Sequence, residues 1–510
     1  MSVIIKLSFS QKVKIVSPPT KHMRLNPLQK VILVLALLGV FLLIYSPHFS
    51  YHYPLHVDEY QHLARAKAWL EGKSLGAHPY LPEEPKVGNF EPGFTIFLAI
   101  IFYIFKQNTI FVYQFLPAIF AVISAFILFH LMHLLTKKFS VSIFTLLFFA
   151  SMRSNTNIGG LWFFTPFTLA IPFIFLFLFL MAKHLQDGKK LFFILGLITL
   201  SILALIHPLS AVFVAIIIFI FFLISKEWKS AFFLILFMLA LFGISLLLFK
   251  QTTTANLLAM LQDWLILEKG WGYLEISYTL PQIYGLVPFS LAVLGLYPAI
   301  KEKPLRFWVV WFVLTSGFIF LFQNFGFSVL FPYQRILYYS LISLAPLSAL
   351  GLSFLIDRIK HINGKKHKKN ILIALLIILV FIAAFWNYYD STPETGLYHV
   401  LEDQDYKALQ YLAQFPQATI IVPLPQSSAV SIITSHKLIG LTKGNLLGGN
   451  QEKVQKFYQG SCKEKKEILN QYNITYVLSR EKINCSYLEE IYNNQEYIYR
   501  VNISSAVEQS

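Results

Sequence analysis

Charge is what this sequence has least of. Only 13% of its 510 residues are Asp, Glu, Lys or Arg, about half the share of a soluble domain. Acid is the scarcer sign, with 26 acidic residues against 42 basic ones, and cysteine is nearly absent, with two. No P-loop and no Gly-rich loop after a strand is present, which argues against an ATP-driven pump and a nucleotide-sugar site. What stands in their place is a hydrophobic fraction of 56% with 49 Phe. That composition excludes a soluble globule and a disordered chain. The net charge of +16 would suggest nucleic acid if it lined one soluble face. It lies instead in short clusters between apolar runs, so nucleic acid is excluded as a partner and the lipid bilayer takes its place.

Eleven apolar runs approach the roughly 20 residues of a spanning helix: 31–46, 110–136, 140–151, 164–182, 191–206, 209–225, 231–249, 283–300, 307–322, 336–356 and 371–388. The run 93–105 reaches only about 20 Å at 1.5 Å per residue and reads as an interfacial helix. With the N-terminus in the cytoplasm, the inner segments hold 22 Lys and Arg against four acids, while the outer loops hold nine of each sign. Spans and sides therefore obey the positive-inside rule. The chain divides into a basic cytoplasmic N-terminus (1–30), a membrane module (31–389) with a large first outer loop (48–109), and a C-terminal part (390–510).

After the last span the composition turns mixed and polar. Helical patterns at 403–414, 451–458, 464–471 and 487–494 alternate with strand patterns at Ala418–Leu424, Lys437–Leu441, Ile474–Ser479 and Glu496–Val501. This predicts a small α/β domain. Both cysteines, Cys462 and Cys485, and all three Asn-x-Ser/Thr sequons (Asn473, Asn484, Asn502) fall in it. Odd-span parity puts it outside the cytoplasm, where the pair favours a disulfide.

The informative residues of such a chain are ionisable groups at the bilayer boundary. Asp58 and Glu59 follow the first span by about a dozen residues and begin an amphipathic helix, 58–71. Its Leu63, Ala66 and Leu70 share a face suited to the membrane surface. Asp58 also suits an N-cap and Glu59 a first-turn acid. Arg335 sits at an outer membrane edge, and a guanidinium pairs bidentately with phosphate. Arg153 in the second outer loop (152–163) and His207 before Pro208 are further phosphate candidates. Asp263 and Glu275, among the aromatics of 250–282, are candidate acceptor contacts. The histidines 52, 56, 62 and 78 lack the spacing of a zinc helix.

His56-Val57-Asp58-Glu59 is similar to the His-Pro-Asp-Glu motif of the mannosyltransferase branch of the GT-C integral-membrane glycosyltransferases. Glu91-Pro92-Gly93 resembles the segment that closes their first outer loop, and Phe331-Pro332-Tyr333-Gln334-Arg335 their late Arg-bearing loop. One departure stands out: the second outer loop has no acid, which puts a two-carboxylate metal site in doubt, and with it the oligosaccharyltransferase branch. The resemblance implies a GT-C-like helical membrane fold of about eleven spans with an extracytoplasmic α/β domain, in the plasma membrane. It implies transfer of a sugar, mannose for preference, from a polyprenyl (or dolichyl) phosphate to a glycan, lipid or protein acceptor, with inversion. Asp58 would be the general base, and Glu59 would bind the acceptor or tune Asp58. Arg335, Arg153 and His207 would serve the donor phosphate, with His56, Glu91, Asp263 and Glu275 towards the acceptor. A Mg or Mn ion, if used, would sit on Asp58 and Glu59. The competing readings are a transporter or flippase and a binding protein for lipid-linked glycans.

Overall fold

The computed structural model describes residues 25–73, 91–106, 109–155, 158–248, 266–267, 278–362, 365–389, 399–441 and 450–502. The expected positions Asp263 and Glu275 lie outside them. Helices dominate: α1 (Pro27–Tyr45), α2 (Val57–Leu70), α3 (Pro92–Phe105), α4 (Thr109–Tyr113), α5 (Leu116–Thr136), α6 (Phe139–Ala150), α7 (Pro166–Asp187) and α8 (Lys190–Ile206). They continue as α9 (Pro208–Ile224), α10 (Trp228–Leu248), α11 (Leu280–Tyr284), α12 (Leu286–Lys301), α13 (Arg306–Phe325), α14 (Tyr333–His361) and α15 (Lys366–Tyr389). Proline opens α1, α3, α7 and α9, where its missing N–H is an orphan in any case.

Among the described residues, six helical segments are long and apolar enough to cross a membrane: Pro27–His48, Thr109–Thr136, Pro166–Asp187, Lys303–Phe325, Tyr333–His361 and Lys366–Trp386. The remaining expected spans are shorter apolar helices, α6, α8, α9, α10 and α12, and α3 belongs to the same length class. Length alone thus separates six spans, and the other five stand on the loop charges.

The bundle is built around α14, whose most apolar window is 89% buried, against 17% for the first span and 11% for the last. The outermost helices turn side chains such as Leu379 and Trp386 outward, as a lipid-facing surface requires. A close helix crossing joins α12 to α14. A Cβ built on Gly295 would strike the Leu347 carbonyl, and one on Gly351 would strike the Leu291 carbonyl. Backbone meets backbone there because neither glycine carries a side chain.

The C-terminal domain runs α16 (Asp403–Leu412), β3 (Thr419–Ile421), α17 (Leu424–Ile433), β4 (Lys437–Leu438), α18 (Gln451–Gln459), α19 (Cys462–Gln471), β5 (Tyr476–Ser479), β6 (Leu488–Asn494) and β7 (Glu496–Val501). A two-stranded pair, β1 (Ile266–Leu267) with β2 (Ser328–Val329), belongs to the membrane part. The five-stranded sheet has the order β4-β3-β5-β7-β6, parallel through β4, β3 and β5 and antiparallel beyond. Cys462 and Cys485 are joined. Two sequence expectations are corrected. Residues 488–494 form the edge strand β6 rather than a helix, because Gln495 takes a left-handed φ of 66° and folds the segment back on β7. The apolar run at 424–433 is a further helix, α17, not anticipated from its β-branched and Ser-rich sequence.

This domain rests on the loop after α1. The Tyr51 ring stacks on His399 at 4.0 Å, and its hydroxyl accepts from the Leu401 N–H at 3.1 Å. The Tyr53 hydroxyl donates to Asp403 at 2.8 Å. Lys67 of α2 donates to the carbonyls of Ser431, Ile432 and Thr434 at 3.2, 3.0 and 3.0 Å, a cation satisfying the end of α17 where helix carbonyls lack partners. The helix expected to lie on a membrane surface is therefore covered by protein: Leu63 and Ala66 are buried and only Leu70 stays exposed.

Candidate functional site

The site begins at the first turn of α2. The N-cap is His56, not Asp58: its Nδ1 accepts the Asp58 N–H at 3.2 Å, and Glu59 reaches back to the His56 N–H at 2.8 Å. This is a capping box with histidine in the Ser/Thr place. Asp58 stands at the second helical position, its side chain 30% exposed, with Oδ2 3.5 Å from His56 Nδ1. Because Nδ1 accepts the amide hydrogen, a neutral His56 carries its proton on Nε2. The Asp58 carboxylate thus keeps an open side.

Glu59 faces the other way. It is 1% exposed, and its second oxygen accepts the Phe164 N–H at 2.6 Å. It thereby ties α2 to the chain that enters α7. Burial pushes its carboxyl up to about 8, against the pull of the backbone donors. Both its oxygens are held by main-chain N–H groups. The same fact bears on a cation: Asp58 and Glu59 diverge, and no three of His, Cys, Asp and Glu gather among the described residues. The pair does not fit a metal ion, and no step below uses one. Glu59→Gln is expected to lower stability by about 1–3 kcal/mol, because an amide NH2 then opposes a main-chain N–H in a buried place. Thermal unfolding in detergent measures it.

A second carboxylate comes from Glu91, the N-cap residue of α3. Gly93 lies so close to the end of α8 that an added Cβ would stand 2.9 Å from the Leu205 carbonyl carbon. That approach sets Glu91, two residues before Gly93, beside His207, two residues after Leu205: Glu91 Oε1 is 3.8 Å from His207 Nε2. Burial raises the Glu91 carboxyl to about 7. Arg335 and Arg65 pull it down and Asp58 pushes it up, so all four charges share one neighbourhood. Arg335 enters from the start of α14. Its guanidinium lies 5.5 Å from the Phe167 ring centre, and the His207 ring meets the same Phe167 edge-on at 5.7 Å.

The second loop supplies the wall behind Arg335. Asn155 and Gly159 exchange main-chain hydrogen bonds at 3.0 and 2.8 Å, and Gly159 takes φ 79°. A Cβ there would stand 3.2 Å from Arg335 Nη1, so glycine meets two demands at once. Arg153 begins this loop, partly buried.

No family model and no curated protein matches the sequence. Solved structures do match the fold. The apo oligosaccharyltransferase of Archaeoglobus fulgidus superposes with a TM-score of 0.61 at 15% identity, over 88% of this chain and 69% of that one. The same enzyme in complex with Zn and sulfate gives 0.57 at 15% identity, over 88% and 67%. ArnT from Cupriavidus metallidurans, bound to undecaprenyl phosphate, gives 0.58 at 9% identity, over 93% and 98%. The chain has the GT-C fold. Within that GT-C architecture, Asp58, Glu91, His207 and Arg335 come from four separate stretches of sequence and converge at one end of the helical bundle.

Sequence reasoning missed three participants. Arg65 is seven residues from Asp58, two helical turns along the same face, with His62 between them. That stripe was legible from spacing alone. Ser210 and Tyr339 lie behind His207, with Ser210 Oγ 2.8 Å from both His207 Nδ1 and the Tyr339 hydroxyl. Tyr339 is one turn on from Arg335, but nothing in the sequence brings either residue to His207.

Proposed function

We propose that this chain is a glycosyltransferase that moves a sugar from a polyprenyl-phosphate carrier to an acceptor hydroxyl, on the extracytoplasmic side of the plasma membrane. The observation that carries the reading is the meeting of an accessible carboxylate, Asp58, with a guanidinium, Arg335, at one end of a GT-C bundle. The loop charges support an outer position for that end, opposite the 22 basic residues of the inner segments. The solved ArnT complex with undecaprenyl phosphate supports a polyprenyl-phosphate carrier. The oligosaccharyltransferase holding a tethered acceptor peptide keeps peptides among the candidate acceptors, beside glycans and lipids. The His-Val-Asp-Glu motif favours mannose as the sugar.

In the proposed step Asp58 takes the proton of the acceptor hydroxyl. The hydroxyl oxygen forms a bond to the anomeric carbon from the face opposite the carrier. The bond from that carbon to the phosphate oxygen breaks, its electron pair stays on the phosphate, and the configuration inverts. Arg335 meets the charge that grows on the leaving phosphate, and the Phe167 ring and Gly159 fix where it does so. Glu59 holds the first turn of α2 in place.

Membranes containing the chain, supplied with labelled polyprenyl-phosphate sugars, test the reading. The expected result is labelled product that depends on the chain and on one donor sugar. Movement of intact donor across the bilayer without product would instead support a flippase.

A further inference from the structure

His207 does more in this structure than open α9. Its Nδ1 accepts the Ser210 N–H at 3.1 Å and sits 2.8 Å from the Ser210 hydroxyl. That hydroxyl is in turn 2.8 Å from the Tyr339 hydroxyl. With Nδ1 held as an acceptor by a main-chain amide, the neutral ring must carry its hydrogen on Nε2. Burial keeps it neutral: the ring is 3% exposed, and its pKa is pushed down to about 3, first by that burial and then by Arg335 and His62. The Nε2–H therefore points out of a rigid mount. Its ion-pair partner, Glu91 Oε1, is 3.8 Å away, beyond hydrogen-bond reach. A neutral donor held on a fixed mount beside a guanidinium is placed to complete a ligand that accepts from both. The nature of that ligand follows from the ring His207 touches. Phe167 carries His207 on its edge and the Arg335 guanidinium 5.5 Å from its centre, so the two donors address one volume.

We infer that His207 is a fixed, neutral hydrogen-bond donor to the carrier phosphate, binding it jointly with Arg335, with Ser210 and Tyr339 holding its orientation. This rests on the glycosyltransferase reading and extends it. A neutral donor adds no charge, so the charge facing the phosphodiester from this pair of donors is that of Arg335. A donor fixed before the reaction needs no rearrangement as charge builds on the leaving oxygen.

Two substitutions separate this role from helix capping. Asn is a favoured N-cap, so His207→Asn keeps an acceptor for the Ser210 amide while its own N–H groups fall short of the Nε2 position. His207→Gln places an N–H near Nε2 and weakens the cap. The probe is undecaprenyl phosphate binding to the purified full chain in nanodiscs, with undecaprenol as the uncharged control. The expected result is that His207→Asn melts like wild type yet binds undecaprenyl phosphate about 10–100-fold more weakly. His207→Gln recovers part of the loss, and undecaprenol binding is the same in all three. Wild-type affinity in His207→Asn would overturn the inference and leave His207 as a cap. Failure of the wild type itself to bind undecaprenyl phosphate would overturn the proposed carrier, and with it this inference.

Discussion

Asp58→Asn is expected to slow sugar transfer by about 10²–10⁴-fold, the worth of a positioned general base, while the chain stays folded. The second half of that expectation follows from where the cap is. Had Asp58 closed the start of α2, its loss would have been ambiguous between chemistry and helix stability. The capping box belongs to His56 and Glu59, and Asp58 keeps its main-chain N–H to His56 whatever its side chain. Asn matches the shape of Asp and cannot take the acceptor proton. Single-turnover rates at saturating donor, with melting curves alongside, read both halves. A variant as fast as wild type would remove Asp58 from the base role. Glu91 would then be the candidate, since burial holds its carboxyl near 7, close to a working pH.

The largest structural effect is expected at the α12–α14 crossing. Gly351→Val puts a branched side chain where the Leu291 carbonyl already lies within contact distance of a bare Cβ position. Neither neighbour is a flexible side chain that could turn aside, so the helices must part. Overpacking costs about 1–3 kcal/mol in ordinary cores, and a backbone contact belongs at the upper end. Because α14 is the buried centre of the bundle and carries Arg335 at its other end, the loss should appear as a lower melting temperature and as weaker donor binding. Gly295→Val should act in the same way, and the double variant should cost less than the sum, since both relieve one contact. Gly317 in α13 is the control: nothing lies within 4 Å of a Cβ there, so Gly317→Ala should be neutral or gain a few tenths of a kcal/mol in helix propensity. Equal melting of Gly351→Val and wild type would show that the crossing tolerates separation.

How much was legible beforehand varies with the physical signal. Hydropathy marks the six helical segments that are long and apolar enough to cross a membrane among the described residues, because a lipid-buried segment must be apolar along its whole length. The α/β alternation of the C-terminal part is also plain, but α17 is not, since Leu424–Ile433 mixes Ser, Pro and β-branched residues that its burial against α2 overrides. The strand β6 reads as a helix until Gln495 is seen to turn the chain. In the site, Asp58, His207 and Arg335 announce themselves as rare polar groups in an apolar chain. Their grouping does not, because it is made by contacts such as Gly93 on Leu205 that join distant stretches. The missing acid of the second loop is a case in point: the second carboxylate of the site is Glu91, reached through space rather than through the expected loop.

The grip of Lys67 on the end of α17 has a consequence for how the protein is made. A ribosome releases residues 51–67 early and residues 399–434 only after every membrane helix has been synthesised. Until then the helix that bears Asp58 lacks Tyr51, Tyr53 and Lys67 contacts with a domain that does not yet exist. The mount of α2 is thus assembled from two distant stretches of the chain, and it is completed only when residues 399–434 have been made. On the proposed reading, a chain cut short after α15 would be inserted with α2 uncovered and would be inert.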